Sequence, residues 1–194
     1  MAEPSFAMFW AHQVPKWVSD DGLSKATVYY GNYILENKNP NQAPPDSWSA
    51  NDENDVAVIH LTIHAGGKVT IPKAHGGAQV NRAFYLIEGS GRGFTMNGFP
   101  AKGKMTTVDA SVDLTLELCS GTLQLLMLQG KPIGEPVSQS GPFVMNTPEE
   151  VQQAELDYGE TQFGGWPWPQ RDMVFPREKS RFSLLNGIER VPDE

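Results

Sequence analysis

The 194-residue chain has one cysteine, four histidines and no tract of basic residues, and each shortage removes a class of function. Cys119, in "LELCSG", has no partner for an internal disulfide and supplies no thiolate framework for a metal, so it reads as a packed strand residue rather than a reactive thiol. Lys and Arg total 15 against 23 Asp and Glu, a formal net charge of −8. A surface that tracks phosphates draws its affinity from clustered cations, and none cluster here, so no nucleic-acid partner is expected. The densest basic stretch, "PREKSRF" from Pro176 to Phe182, carries Arg177, Lys179 and Arg181 around Glu178 and reads as a solvated tail. No window approaches the ~20 apolar residues of a spanning helix. The opening "MAEPSFAMFWAHQ" also lacks the basic start and apolar run of a secretory signal, so the chain is expected to be cytoplasmic, with no membrane partner.

What the chain has in abundance is alternation. In "DVAVIHLTIHAGG", Ala57, Ile59, Leu61, Ile63 and Ala65 share one face of an extended strand, and Val56, Val58, His60, Thr62 and His64 share the other. Further strands are expected over 26–35, 68–71, 82–88, 92–96, 111–118 and 122–129. The junctions Gly89-Ser90-Gly91, Asn97-Gly98 and Ser120-Gly121 are suited to tight turns. Short strands with such turns imply a sandwich or closed barrel. The polar segment 36–54 is too long for a hairpin loop and reads as a surface excursion, packed or partly mobile. One helix start is clear in "NTPEEVQQAELDYG". Thr147 is placed to cap, Pro148 suits the first helical position, and Glu150 completes a capping box. Val151, Ala154 and Tyr158 then line one face, and Gly159 is the expected stop.

The stretch "LLMLQGKPIGEPVSQSGPFVMNTPEEVQQAELDYGETQFGGWPWP", Leu125 to Pro169, resembles the C-terminal cupin half of the pirin family, through its "GEPV", "GPFVMNT" and "FGGWP" elements. Upstream, "NRAFYLIEG" and "KATVYYGNY" are similar to earlier strands of the same domain. The resemblance covers most of the chain, with residues 1–25 and 36–54 the least similar. It implies an all-β, cupin-like β-barrel or jelly roll with one peripheral C-terminal helix, a single domain over 1–194 whose tail, 159–194, packs on the barrel. The family is similar to two cupin barrels in tandem, with three histidines and a glutamate binding metal in the N-terminal barrel. Its histidine motif, two His one residue apart near a Gly-Phe pair, has no match here. The flavonol-cleaving and iron-dependent regulatory activities of the family are therefore not carried over.

Two His at i and i+2 on a strand would lie about 6.6 Å apart on one face, close enough to share an ion. His60 and His64 stand at i and i+4, roughly 13 Å apart on an extended strand, too far to converge easily. The metal candidates that remain are His60, His64, His75 and Glu88, with no geometry that fixes them together. No cofactor is expected, and iron is the alternative. "GSGRGF" from Gly89 to Phe94 reads as a turn, because a phosphate loop would need a helix after it. Trp166 and Trp168 read as a clamp for the tail, with a flat ligand as the alternative. The function expected is that of a pirin-like C-terminal cupin domain without catalysis, serving structure, partner contact or small-molecule binding. A stand-alone copy leaves apolar surface to cover, by a homodimer or by a separate metal-binding cupin half. The rival is a metal-dependent cupin dioxygenase or isomerase acting on a small aromatic or sugar-like substrate.

Overall fold

Alternation along Ala57–His64 sorts the side chains as expected. Ala57, Ile59, Leu61 and Ile63 are fully buried, and the residues between them are half-buried on the other face. In the computed structural model, which describes residues 5–101, 103–166 and 168–192, this strand is β3 of a unit that ends at Pro132. The others in that unit are β1 (Lys16–Val18), β2 (Ser24–Tyr30), β4 (Lys68–Ile71), β5 (Asn81–Glu88), β6 (Phe94–Met96), β7 (Phe99–Pro100), β8 (Met105–Asp109), β9 (Leu114–Leu118) and β10 (Thr122–Gly130). They form a six-stranded sheet, β1-β2-β3-β10-β5-β8, and a four-stranded sheet, β4-β9-β6-β7, antiparallel throughout. The two ladders stay separate, so the jelly roll is a sandwich rather than a closed ring.

One apolar cluster joins the inner faces. Val28, Ile59, Leu61 and Met127 come from the larger sheet, and Ile71, Phe94, Leu116 and Leu118 from the smaller. Each such side chain stabilises the fold by about 1.5–3 kcal/mol when fully buried.

Several expected boundaries move, for local reasons. β2 ends at Tyr30 rather than Leu35 because Gly31 turns the chain at φ +90°, where an added Cβ would meet the Ala57 Cβ at 2.7 Å. β8 was not anticipated, and the strand expected over 111–118 begins only at Leu114. Asp109 Oδ1 accepts from the Ser111 amide at 2.8 Å and hydroxyl at 2.6 Å, which holds that segment in a turn. The "GSGRGF" turn is as read, with β6 following it. Cys119 is a correction: it lies just past β9 and is exposed rather than packed.

The second unit starts at Ile133. A hairpin of β11 (Ser138–Ser140) and β12 (Phe143–Met145) precedes α1 (Pro148–Thr161), which packs on it. The capping box forms as expected: Thr147 Oγ1 accepts from the Glu150 amide, and the Glu150 carboxylate accepts from the Thr147 amide at 3.0 Å. Val151 and Ala154 are buried, and the Tyr158 ring meets Phe143 and Phe163. Gly159 does not stop the helix. Gln162 takes the left-handed cap position instead, at φ +52°, while Thr161 Oγ1 and Gln162 Nε2 donate to the carbonyls of Asp157 and Tyr158. These bonds outweigh the roughly 1 kcal/mol cost of an interior glycine.

Farther on, Trp168, Phe175 and Phe182 stack edge to face in series, and β13 (Ser183–Leu185) pairs with β14 (Ile188–Arg190). Lys179 is not simply solvated, because its Nζ lies 4.0 Å from the Phe182 ring centroid and 2.7 Å from Glu189 Oε2. Trp166 is exposed, and Pro167, between the two tryptophans, lies outside the described residues.

Candidate functional site

A cleft of about 730 Å³ opens at the end of the sandwich where β2 finishes and β3 starts. One wall is the excursion 36–54, which is packed down by its own side chains. Asn39, 6% exposed, donates through Nδ2 to the Val28 and Gly31 carbonyls at 3.1 Å, and Asn41 Nδ2 donates to the Tyr29 carbonyl at 2.9 Å. Trp48 Nε1 donates to the Lys131 carbonyl, and Tyr30 donates to the Ser49 carbonyl at 2.5 Å.

The floor is a connected network of buried polar side chains. Asp55, buried and left-handed at φ +53°, follows a single 3-10 turn over Asp52–Asn54. Its Oδ1 accepts from the Tyr33 hydroxyl at 2.6 Å and from Gln129 Nε2 at 3.2 Å, and its Oδ2 accepts from the Gly76 amide at 3.0 Å. Gln129 Nε2 also donates to the Asp55 carbonyl, and Gln129 Oε1 accepts from Arg82 Nε at 2.6 Å. The Arg82 guanidinium sits 5.3 Å from the centre of the Tyr33 ring.

Burial pushes the Tyr33 hydroxyl above its ordinary value, and its hydrogen bond to Asp55 adds to the shift. Burial lowers the Arg82 pKa, against the pull of Tyr33 and Asp55. Arg82 is fully buried, yet among the described residues Nη1 and Nη2 have no hydrogen-bond partner, a local cost that the surrounding fold sustains.

His75 closes the network at the cleft surface. Its ring stacks on Tyr33 with centroids 5.2 Å apart, its amide donates to the Tyr33 hydroxyl at 3.1 Å, and Nδ1 lies 3.6 Å from Asp55 Oδ1. Three-quarters of the side chain is exposed. Ile34, beside Tyr33, holds φ +57°, a strained setting for a β-branched residue.

The four metal candidates are not gathered. His60 and His64 lie on the outward face of β3, away from the apolar interior and from the cleft. His60 Nε2 is 3.1 Å from Gln124 Oε1, and Gln124 Nε2 donates to Glu88, so a carboxamide stands between imidazole and carboxylate. His64 Nδ1 is 3.1 Å from Thr122 Oγ1. His75 belongs to the cleft. Among the described residues no three His, Cys, Asp or Glu side chains assemble a metal site. A small hollow of about 70 Å³ borders Phe84, Phe94 and Leu125, room for a water or two but not for an organic substrate.

Sequence reasoning reached His75 but missed Tyr33, Asp55, Arg82 and Gln129. A signal was present: Arg82 shares its strand face with Phe84, and Gln129 shares its own with Leu125 and Met127. Both place a polar group where the alternation demands an apolar one.

Residues 58–164 match the family model described as the pirin C-terminal cupin domain. Pirin-1 of Arabidopsis thaliana is 37% identical over 84 residues, covering 41% of this chain and 29% of that protein. Human pirin is 51% identical over 39 residues, covering 20% of this chain and 13% of its own length. A crystal structure of quercetin 2,3-dioxygenase from Acinetobacter baumannii superposes with a TM-score of 0.63 at 23% identity, over 80% of this chain and 49% of that one. That likeness establishes the fold. The chain thus spans about half of that structure, and its matches take in less than a third of these curated relatives.

Proposed function

Because the chain belongs to the pirin family, matching its C-terminal cupin domain, we propose that it is a non-catalytic cupin half that serves structure and partner contact, with no reactive centre between its sheets. The observation that carries this reading is the packing of the interior. Ile59, Leu61, Ile63, Leu116, Leu123 and Met127 are all at 0% exposure and fill the space between the sheets with aliphatic groups that neither coordinate a cation nor move a proton. The partner expected is a second copy or a separate metal-bearing cupin. Val18 and Met105, on the two edge strands of the larger sheet, and Leu128, on an inner one, are exposed apolar side chains available to such a contact.

The test uses the untagged full chain. Bound iron, zinc, copper, manganese and nickel are measured after iron titration, oxygen uptake is followed with quercetin, and light scattering gives the assembly state. The reading expects no quercetin-dependent uptake and an assembly larger than a monomer, or recovery of a cupin partner. Near-stoichiometric metal lost on His60→Ala or His75→Ala, with quercetin turnover, would overturn it. A monomer at every accessible concentration, with no cupin partner recovered, would remove the partner role.

A further inference from the structure

We propose that the cleft over Tyr33 and His75 is a binding site for a neutral, hydroxyl-rich small molecule of mono- or disaccharide size. This goes beyond the partner role above and does not depend on it. The volume, about 730 Å³, lies in the range of small-molecule sites. The chemistry of the lining then narrows the ligand.

Charge is the first filter. Asp55 is the one buried carboxylate at the cleft, and it is already saturated by the Tyr33 hydroxyl, the Gly76 amide and the Gln129 amide, with the Arg82 cation behind them. Toward the mouth the charged groups among the described lining residues are Lys38 and Asp52, both exposed. The formal charges at the cleft therefore balance, Lys38 and Arg82 against Asp52 and Asp55, so a ligand with strong net charge of either sign finds no net attraction there to offset the cost of its desolvation.

Hydrogen-bonding capacity is the second. Gln42 carries no hydrogen bond among the described residues. Asn32, Asn41 and Asn51 each use one end of the carboxamide to hold the loop, leaving the other end for a ligand. The His75 ring turns Nδ1 toward Tyr33 and Asp55, and Nε2 meets no partner among the described residues. These are uncharged donors and acceptors in mixed order, the complement of a run of hydroxyls, each of which both gives and accepts.

Shape is the third. The His75 ring, backed by Tyr33 at 5.2 Å and 27° between planes, is an aromatic plate held in place from behind and three-quarters exposed in front. The C–H face of a pyranose packs on such a plate while its hydroxyls reach the amides around it. The strained φ of Ile34, next to Tyr33, is a local cost spent on holding this floor in one arrangement, as is common at sites of recognition.

The test is an amide ¹H–¹⁵N NMR titration of the full chain with glucose, galactose, maltose and lactose, and with galacturonate and glucosamine as charged counterparts. A neutral sugar is expected to give saturable shifts in residues 31–42, 49–55 and 75–77, with a dissociation constant below about 10 mM. Galacturonate and glucosamine should bind no more tightly. His75→Ala should weaken binding by about tenfold or more. Gln42→Ala, at an exposed position with no hydrogen bond to lose, should weaken it severalfold with an otherwise unchanged spectrum, and it carries the test should His75→Ala disturb the fold. The proposal is overturned if no neutral sugar saturates, if a charged counterpart binds about tenfold tighter, or if the Gln42→Ala chain binds like the parent.

Discussion

Gln129 stands directly opposite Arg82 in the ladder between β10 and β5, and its carboxamide oxygen accepts the Arg82 Nε–H at 2.6 Å while its nitrogen serves Asp55. One neutral side chain thus couples a buried cation to a buried carboxylate that it does not touch. Gln129→Leu takes the Nε partner from the Arg82 guanidinium and leaves Asp55 short of a donor, and is expected to cost about 3–5 kcal/mol in urea unfolding. Arg82→Met should cost less, because it removes the charge together with its two unpaired nitrogens. A double variant more stable than the sum of the two single effects would confirm the coupling.

Tyr33 sets an alkaline limit on stability. Its folded pKa is raised above the ordinary 10.0, first by burial and then by Asp55. Above pH 10 the unfolded chain therefore gives up this proton before the folded one, and stability falls as pH rises through the folded value. Chemical denaturation from pH 8 upward should show a plateau followed by a decline. Tyr33→Phe should make that decline shallower while lowering the plateau by about 1–3 kcal/mol for the lost buried hydrogen bond.

The helix offers a pair of opposite outcomes. Thr147→Ala removes the cap and should lower stability by about 1 kcal/mol. Gly159→Ala should raise it by about 0.5–1 kcal/mol, since the site is helical, its φ is ordinary and an added methyl would meet nothing within 4 Å. Thermal melts of the two variants read both signs.

Lys179 ties the C-terminal hairpin. Its ammonium lies over Phe182 at 4.0 Å and Phe175 at 5.2 Å and pairs with Glu189 of β14. Lys179→Gln should speed amide exchange in residues 183–190 severalfold, consistent with a loss of about 0.5–1 kcal/mol at a partly exposed site. Lys179→Arg should restore most of the protection.

The strands and the helix start were legible because each rests on short-range chemistry. Ile59 and His60 part company by alternation alone, and Thr147, Pro148 and Glu150 carry their capping roles in their spacing. β8 was missed because "MTTVD" is half-exposed along its length and shows no apolar face. The cleft was illegible for another reason. Tyr33, Asp55, His75 and Gln129 come from four separate segments, and their convergence depends on the β3–β10–β5 register and on backbone turns at Gly31 and Asp55. Cys119 was misplaced by face: with Leu114, Leu116 and Leu118 turned inward, the same alternation carries the next side chain outward, where it is exposed.

The excursion over 36–54 holds on by a particular grammar. Asn39, Asn41 and Trp48 all reach across to main-chain carbonyls, those of Val28, Gly31, Tyr29 and Lys131, rather than to side chains. Carbonyls persist whatever residues the strands carry, so these anchors tolerate sequence drift in the body beneath. Among the hydrogen bonds of the described residues, only the Tyr30 hydroxyl donating to the Ser49 carbonyl and the Asn32 carboxamide accepting from the Asn39 amide tie the segment to the identity of the residues under it.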